Sequence, residues 1–405
     1  MEELFLATKI FSKEDQVNFA NFSGDYNPIH LDPIKSRKTV SGECIVHGIN
    51  SFLCALEFLL INRNSLYSHY LINFKNKIPL NEKITFVLEK NNTLSLRNKN
   101  NKSLVLIKCT GMLGALSKKN SFNFNNYSSL NSPLDFDSNN FNIGVPIESR
   151  YGGEIKYANI LFPFLSKKLG INSVYEISTI SNIIGMQIPG RNSLFTSCEI
   201  NLQNQINKIP TYTLESFKVK LKLLKLKYEG INLDAKMQAF LLKNSKSSLI
   251  NKKLKEKLFD NTYHGRKALV IGGSRGIGSF VAKVLGLLGS KVTVTYSACY
   301  EDALAVCQDI NQNTGKMQAD LLRFDVLKDN FPDIEGENFD CLFYFPTPKI
   351  FDRDSDKFSE EMYIQFKKIY AIAFRKIAIE FAKTGGKKIY YPSSIAVEQN
   401  NKGME

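Results

Sequence analysis

At 405 residues, 43% hydrophobic and 23% charged, the chain has the balance of a globular protein and the length of two or three domains. No apolar run approaches the ~18 residues of a membrane span, and the acidic start Met1-Glu2-Glu3 is unlike a signal peptide, so a cytoplasmic protein without a membrane span is expected. A net charge of +14 would suit a nucleic-acid partner, but no such motif is present and the lysines are spread along the chain, so none is expected.

In chain order, Phe5 to Ile10 reads as a strand. Phe11-Ser12 opens a helix, with Ser12 as N-cap and Asp15 three residues on. Phe19 and Phe22 would face inward. The stretch Phe22-Ser23-Gly24-Asp25-Tyr26-Asn27-Pro28-Ile29-His30-Leu31-Asp32-Pro33 then sets a carboxylate and an imidazole five positions apart. Asn27 and Pro28 between them favour a turn over a helix. Such a turn can fold Asp25 and His30 onto one spot, as proton transfer to a shared water or substrate needs. Asp32 to Arg37 reads as a short helical turn capped by Asp32. His47-Gly48 precedes a stretch from Ile49 to Leu60 that is apolar nearly all round, as in a buried helix.

The pattern Gly24-Asp25-x-Asn27-Pro28-x-His30-x-Asp32-Pro33 resembles the signature of the MaoC-like, R-specific enoyl-thioester hydratases, which have the hotdog fold. The resemblance takes in Phe11-Ser12-x-x-Asp15-x-x-x-Phe19-Ala20 upstream. Downstream it includes Arg37, Gly42 and Ile45-Val46-His47-Gly48. It implies a helix wrapped by an antiparallel sheet and the interconversion of trans-2-enoyl and (3R)-3-hydroxyacyl thioesters. Asp25 and His30 would then be catalytic, and the Gly48 N–H, at a helix amino terminus, would stabilise the carbonyl oxygen. Asn27 and His47 are taken as substrate-binding. This part would need no cofactor and no metal. Its partners would be acyl-coenzyme A or acyl-carrier-protein thioesters, whose negative charge a basic surface suits.

Strand patterns follow at Leu71 to Phe74, Lys83 to Leu88, Thr93 to Arg97 and Leu104 to Thr110. The first hotdog is assigned residues 1–116. A polar, Asn- and Ser-rich linker covers 117–145. Residues 146–245 read as a second hotdog-like half. It has a helix from Tyr157 to Leu169 kinked at Pro163, and another from Tyr175 to Ile184 ended by Gly185. Strands are expected at Thr196 to Leu202, Glu215 to Leu226 and Leu233 to Leu242. This half lacks the Asp/His motif, and by the resemblance it would shape the acyl pocket. Residues 246–263 are a Lys-rich second linker. The seven cysteines (Cys44, Cys54, Cys109, Cys198, Cys299, Cys307, Cys341) show no metal-ligand spacing and read as reduced core thiols.

At 264–405 the character changes. The strand Lys267 to Ile271 leads into Gly272-Gly273-Ser274-Arg275-Gly276-Ile277-Gly278, a helix from Ser279 to Leu288 and a strand from Lys291 to Tyr296. A glycine-rich turn between strand and helix lets backbone N–H groups meet a pyrophosphate. The spacing is similar to that of the short-chain dehydrogenase/reductase family. Gly272, Ser274, Arg275, Gly276, Ile277, Gly278, Asp325 and Val326 are its expected cofactor-binding residues. Thr295-Tyr296-Ser297 brings no acidic residue for a ribose hydroxyl, and Arg275 would meet a 2′-phosphate, so NADP is favoured over NAD. Lys387 to Ala396 resembles the strand that ends in the family's catalytic serine, here Ser394. The family's Asn-Ala-Gly is replaced by Phe345-Pro346-Thr347-Pro348, the catalytic Asn position falls on Tyr370, and no Tyr-x-x-x-Lys follows Ser394 before Glu405. The expectation is an α+β tandem hotdog followed by an α/β Rossmann domain, a doubly wound parallel sheet incomplete at its C-terminus. The function implied is a hydratase/dehydratase joined to a 3-oxoacyl/3-hydroxyacyl oxidoreductase part that is inactive as it stands. Two other readings stay open: a non-catalytic acyl-carrier and nucleotide-binding protein, or a reductase of a sugar or secondary metabolite. A homo-oligomer fits any of them.

Overall fold

The computed structural model describes residues 3–39, 41–113, 130–137, 141–203, 209–242, 263–331, 338–348 and 360–393. It divides into two units, Met1–Ser245 and Lys246–Glu405. Among the described residues, no helix is long and apolar enough to cross a membrane. All seven cysteines are unpaired.

The first unit runs β1 (Leu4–Ile10), α1 (Lys13–Ser23), α2 (Pro28–Leu31), α3 (Pro33–Ser36), α4 (Gly48–Arg63), β2 (Tyr67–Phe74), β3 (Lys83–Glu89), β4 (Thr93–Arg97) and β5 (Ser103–Met112). It continues with β6 (Pro146–Glu148), α5 (Tyr157–Leu161), α6 (Pro163–Leu169), α7 (Ile171–Asn182), β7 (Ser193–Leu202), β8 (Thr211–Lys218), β9 (Leu223–Glu229) and β10 (Leu233–Leu241). The strands form one antiparallel sheet in the order β1-β3-β4-β5-β2-β7-β10-β9-β8-β6. Read outward from the β2–β7 seam, the second five strands repeat the order of the first five. Strict alternation of buried and half-buried residues along β9 gives the sheet one core face. One hydrophobic core gathers the sheet with α4 and α7, which contact each other.

Ser12 caps α1 as expected. Its hydroxyl accepts from the Asp15 N–H at 3.0 Å, while the Asp15 carboxylate accepts from the Ser12 N–H at 2.7 Å. Phe19 and Phe22 are buried. Asp32 caps α3, accepting from the N–H groups of Ile34 and Lys35.

Four expectations need correction. The run from Tyr157 to Leu169 is two helices, because Pro163 starts a new one after the non-helical Phe162. The freed amino terminus of α6 is held by a carboxylate in α4: Glu57 accepts from the N–H groups of Phe164 and Leu165. Gly185 does not end its helix; α7 passes into a π-helical turn, Ile183–Gln187, that contains it. Glu215 to Leu226 is not one strand but parts of β8 and β9, reversed at Lys222, whose φ is 52°. Part of the first linker packs: the Leu134 N–H donates to Met186 O and the Arg191 N–H to Leu134 O, with Phe136 against Phe217. The second linker lies outside the described residues, except Tyr263.

The second unit has a parallel sheet of β11 (Lys267–Ile271), β12 (Lys291–Tyr296), β13 (Ala319–Arg323), β14 (Cys341–Tyr344) and β15 (Lys388–Tyr390). Their order is β13-β12-β11-β14-β15. The helix after the glycine turn spans Gly276–Leu287, beginning three residues earlier than expected. In an open parallel sheet, ligands bind beyond the carboxyl ends of strands where the order reverses; here that point lies between β11 and β14.

Candidate active site

The first site is built where α1 ends. Gly24 closes α1 with a φ of 73°, and its N–H donates to Ala20 O at 2.7 Å. A Cβ at Gly24 would also strike Gly152. The turn that follows is pinned at Asn27: its side-chain oxygen accepts from the Ile29 N–H, and its Nδ2 donates to Gly185 O at 2.7 Å and Gly190 O at 3.2 Å. The turn brings together the two groups the spacing predicted. Polar atoms of Asp25, His30 and His47 all lie within 4.8 Å of one another.

Asp25 is 1% exposed. Its Oδ2 accepts from the Ser181 hydroxyl at 2.7 Å and its Oδ1 from the Asn27 N–H at 3.2 Å. Burial raises its pKa above the ordinary carboxylate value; the neighbouring His30 and these two hydrogen bonds act against that rise. His30 Nδ1 lies 2.8 Å from the carbonyl oxygen of Ile45. A carbonyl only accepts, so Nδ1 carries a proton, and in the neutral ring Nε2 then presents a lone pair. Among the described residues, no group hydrogen-bonds that Nε2. Burial lowers the pKa of His30, against the pull of Asp25 and Ile45 O, and so favours the neutral ring.

The two side chains expected to bind substrate are both enclosed. Asn27 is 1% exposed, with both ends of its amide committed to the backbone as above. His47 is fully buried under His30, the rings stacked with centroids 3.7 Å apart. Its nitrogens face Gln16 Oε1 at 2.9 Å and the Asp25 carbonyl at 3.0 Å. Both side chains are held by protein partners.

Gly48 begins α4, next to His47, whose side chain makes no capping bond. The first N–H groups of α4 therefore have no side-chain cap from that residue. A Cβ at Gly48 would lie 2.8 Å from the Phe74 ring, so any larger residue here would have to displace that ring.

Pattern reading missed the groups from the second half: Ser181, Asn182, Gly185 and Gln187. Asn182 Nδ2 donates to Gly24 O at 2.7 Å, and Gln187 Nε2 donates to Asn182 Oδ1 at 2.7 Å. Gly185 lies against Asp25 so closely that a Cβ would overlap the carboxylate. Gln16 was missed too. It falls on the α1 face of Phe19 and Ala20, and a polar residue inside an apolar stripe was the available signal.

In the second unit, Gly272 turns the chain with a φ of 72°, and its N–H donates to the buried Thr295 hydroxyl at 3.1 Å. A Cβ at Gly278 would overlap Gly272 O, so the helix approaches the turn only with glycine there. Ser274 is half-buried, while Arg275, Gly276 and Ile277 are exposed at the start of the helix. Asp325 and Val326 follow β13; Asp325 accepts from the Leu327 N–H at 3.0 Å. Tyr370 hydrogen-bonds the hydroxyl of Thr347 at 2.6 Å. Ser394 lies outside the described residues.

Residues 4–107 match the family model of the MaoC like domain. The chain is 27% identical over 101 residues to the mitochondrial 3-hydroxyacyl-[acyl-carrier-protein] dehydratase of Arabidopsis thaliana. That match covers 24% of this chain and 58% of the relative. A solved MaoC-like dehydratase aligns with 60% of the chain and 98% of its own length, at a TM-score of 0.41 and 9% identity. A putative short chain dehydrogenase from Escherichia coli CFT073, complexed with NADPH, aligns with 36% of the chain and 65% of its own length, at a TM-score of 0.32 and 16% identity. The N-terminal part of this chain is a MaoC-like domain.

Proposed function

We propose that the first unit hydrates trans-2-enoyl thioesters to (3R)-3-hydroxyacyl thioesters and catalyses the reverse dehydration. The observation that carries this reading is the convergence of the buried Asp25 carboxylate and the open Nε2 of His30, whose Nδ1 is held by Ile45 O. Asp25 and His30 hold one water between them. His30 Nε2 takes a proton from it as its oxygen bonds to C3. The electron pair of the C2–C3 double bond moves toward the thioester carbonyl, where the Gly48 N–H receives the developing charge. Return of the proton to C2 completes the addition, so water alone is consumed. The ten-stranded sheet is read as two hotdog halves, of which the second closes the site.

The test is the enoyl-thioester absorbance with trans-2-enoyl-CoA of several chain lengths and with the matching carrier-protein thioesters. The band should disappear on adding the protein. Asp25→Asn and His30→Ala should each slow that loss by about 10³-fold. Undiminished rates in both variants would refute the assignment.

For the second unit we propose an NADP-binding part of an oxidoreductase for the 3-oxoacyl/3-hydroxyacyl pair, one that binds the nucleotide and is inactive in reduction as it stands. The strand order, the glycine turn and the exposed Arg275 support it. The 3-hydroxyacyl thioester would be common to both reactions. Arg275→Ala should weaken NADPH binding by about tenfold and leave NADH binding nearly unchanged, read by nucleotide fluorescence. Equal weakening of both would assign Arg275 no part in reading the 2′-phosphate.

A further inference from the structure

The oxygen of Gln16 settles where the protons of His47 must be. The backbone N–H of His47 donates to Gln16 Oε1 at 3.0 Å. A backbone N–H only donates, so the amide atom facing it is the oxygen, not the nitrogen. The same oxygen lies 2.9 Å from His47 Nδ1, which therefore needs a proton. On the other side of the ring, Nε2 lies 3.0 Å from the backbone carbonyl oxygen of Asp25, again an acceptor only. A neutral ring would set a nitrogen lone pair against an oxygen lone pair on one side. A second observation agrees. Gln16 is 0% exposed and its Nε2 has no hydrogen-bond partner. Leaving a buried amide nitrogen unpaired costs about 1–3 kcal/mol, and the two bonds that Gln16 Oε1 accepts from His47 are what that orientation gains.

We propose that His47 is an imidazolium, held in that state by Gln16, and that it is the buried counter-ion of Asp25. The charged or titratable groups facing His47 are Asp25, whose Oδ2 is 4.0 Å from Nε2, and the stacked His30. Phe19 and Gln16, its contacts from α1, are uncharged. Burial and the neighbouring His30 push His47 strongly toward the neutral form. Two acceptor oxygens and a carboxylate pull the other way. A carboxylate and an imidazolium buried side by side cancel each other, whereas an unpaired Asp25 anion would bear the whole desolvation cost. The role given to Asp25 here rests on the proposed hydration, for which the pair keeps Asp25 ionised. Gln16 is a positioning residue, acting through His47.

The ring nitrogens of His47 report this directly by 15N NMR on the full chain. There are four histidines, and His30→Asn, His69→Asn and His264→Asn assign the other three while leaving His47 intact. At neutral pH both ring nitrogens of His47 should carry protons. Gln16→Leu should lower its pKa by about one unit or more and yield a ring with one bare nitrogen. Gln16→Glu, which keeps an acceptor, should restore both protons. One bare nitrogen at His47 in the unmodified protein overturns the proposal, whichever way the variants behave. A Gln16→Leu ring that stays doubly protonated overturns the part given to Gln16. Absent hydratase activity would refute the function and leave the ring spectrum as it is, so the two failures are distinguishable.

Discussion

Helices α4 and α7 are the buried helices of the two sheet halves, and they differ in what surrounds them. The half built on α4 supplies Asp25 and the open Nε2 of His30. The half built on α7 supplies a hydroxyl, an amide and a bare backbone: Ser181, Asn182 and Gly185. Its own buried carboxylate, Glu176, is bound by four donors, from the Tyr228 hydroxyl, the N–H groups of Ile231 and Asn232, and the Asn232 amide. Burial raises the Glu176 pKa against those bonds, and no lone pair is left open toward a ligand. Two helices in equivalent places have thus divided the work. One half presents groups that can react, and the other fixes them from 156 positions away in sequence.

The sharpest way to break this division is Gly185→Ala. The added methyl would overlap the Asp25 carboxylate, and the π-helical backbone gives little room to retreat. Asp25 would move by about an ångström, enough to slow hydration by about 10²-fold. Stability should change far less than activity, which parallel urea titrations would check. Activity within a factor of three of the unmodified protein would mean that the second half does not position Asp25.

Ser181→Ala tests the same division more gently. It removes one donor to a buried carboxylate, and the rate should fall about tenfold, or ~1.4 kcal/mol. The sign of its pH effect follows from the hydrogen bond. The Ser181 hydroxyl favours the ionised carboxylate and so holds down a pKa that burial has raised. Its loss raises that pKa further, so the acid limb of kcat/KM moves to higher pH. An unmoved or downward-shifted limb would separate the limb from Asp25.

The same contrast explains what could be read from the sequence. Asp25 and His30 were legible because a turn with Asn27 and Pro28 sets their convergence within six residues. Ser12, Asp15 and Asp32 were legible because capping is local. Ser181 and Gly185 were not, because nothing local distinguishes a serine that bonds a distant carboxylate from any other buried helical serine. The protein partners of His47 and Asn27 were illegible for the same reason. A polar residue inside a motif looks like a ligand contact until its partners are known, and Gln16, Gly185 and Gly190 are remote. The strand from Glu215 to Leu226 failed because the Lys/Leu alternation continues through the reversal at Lys222. The glycine turn of the second unit was legible because Gly272 and Gly278 serve a local close approach.

The smallest effect is expected at the seam between the halves. His69 in β2 hydrogen-bonds Glu199 in β7 at 3.0 Å and the Thr110 hydroxyl at 2.8 Å. It is a polar link across the join, but about a third of each side chain is exposed to water. Screening and the entropy of holding both side chains leave such a pair at roughly 0–1 kcal/mol. Beside it, Tyr70 pairs with Ile200 and Ile72 with Cys198, all four fully buried in the common core. Glu199→Gln should therefore lower the urea stability of the first unit by less than about 1 kcal/mol and leave hydration unchanged. A loss above ~2 kcal/mol would mean the halves are held by this polar pair, and a strand ladder with buried apolar pairs would no longer suffice to explain why they share one sheet.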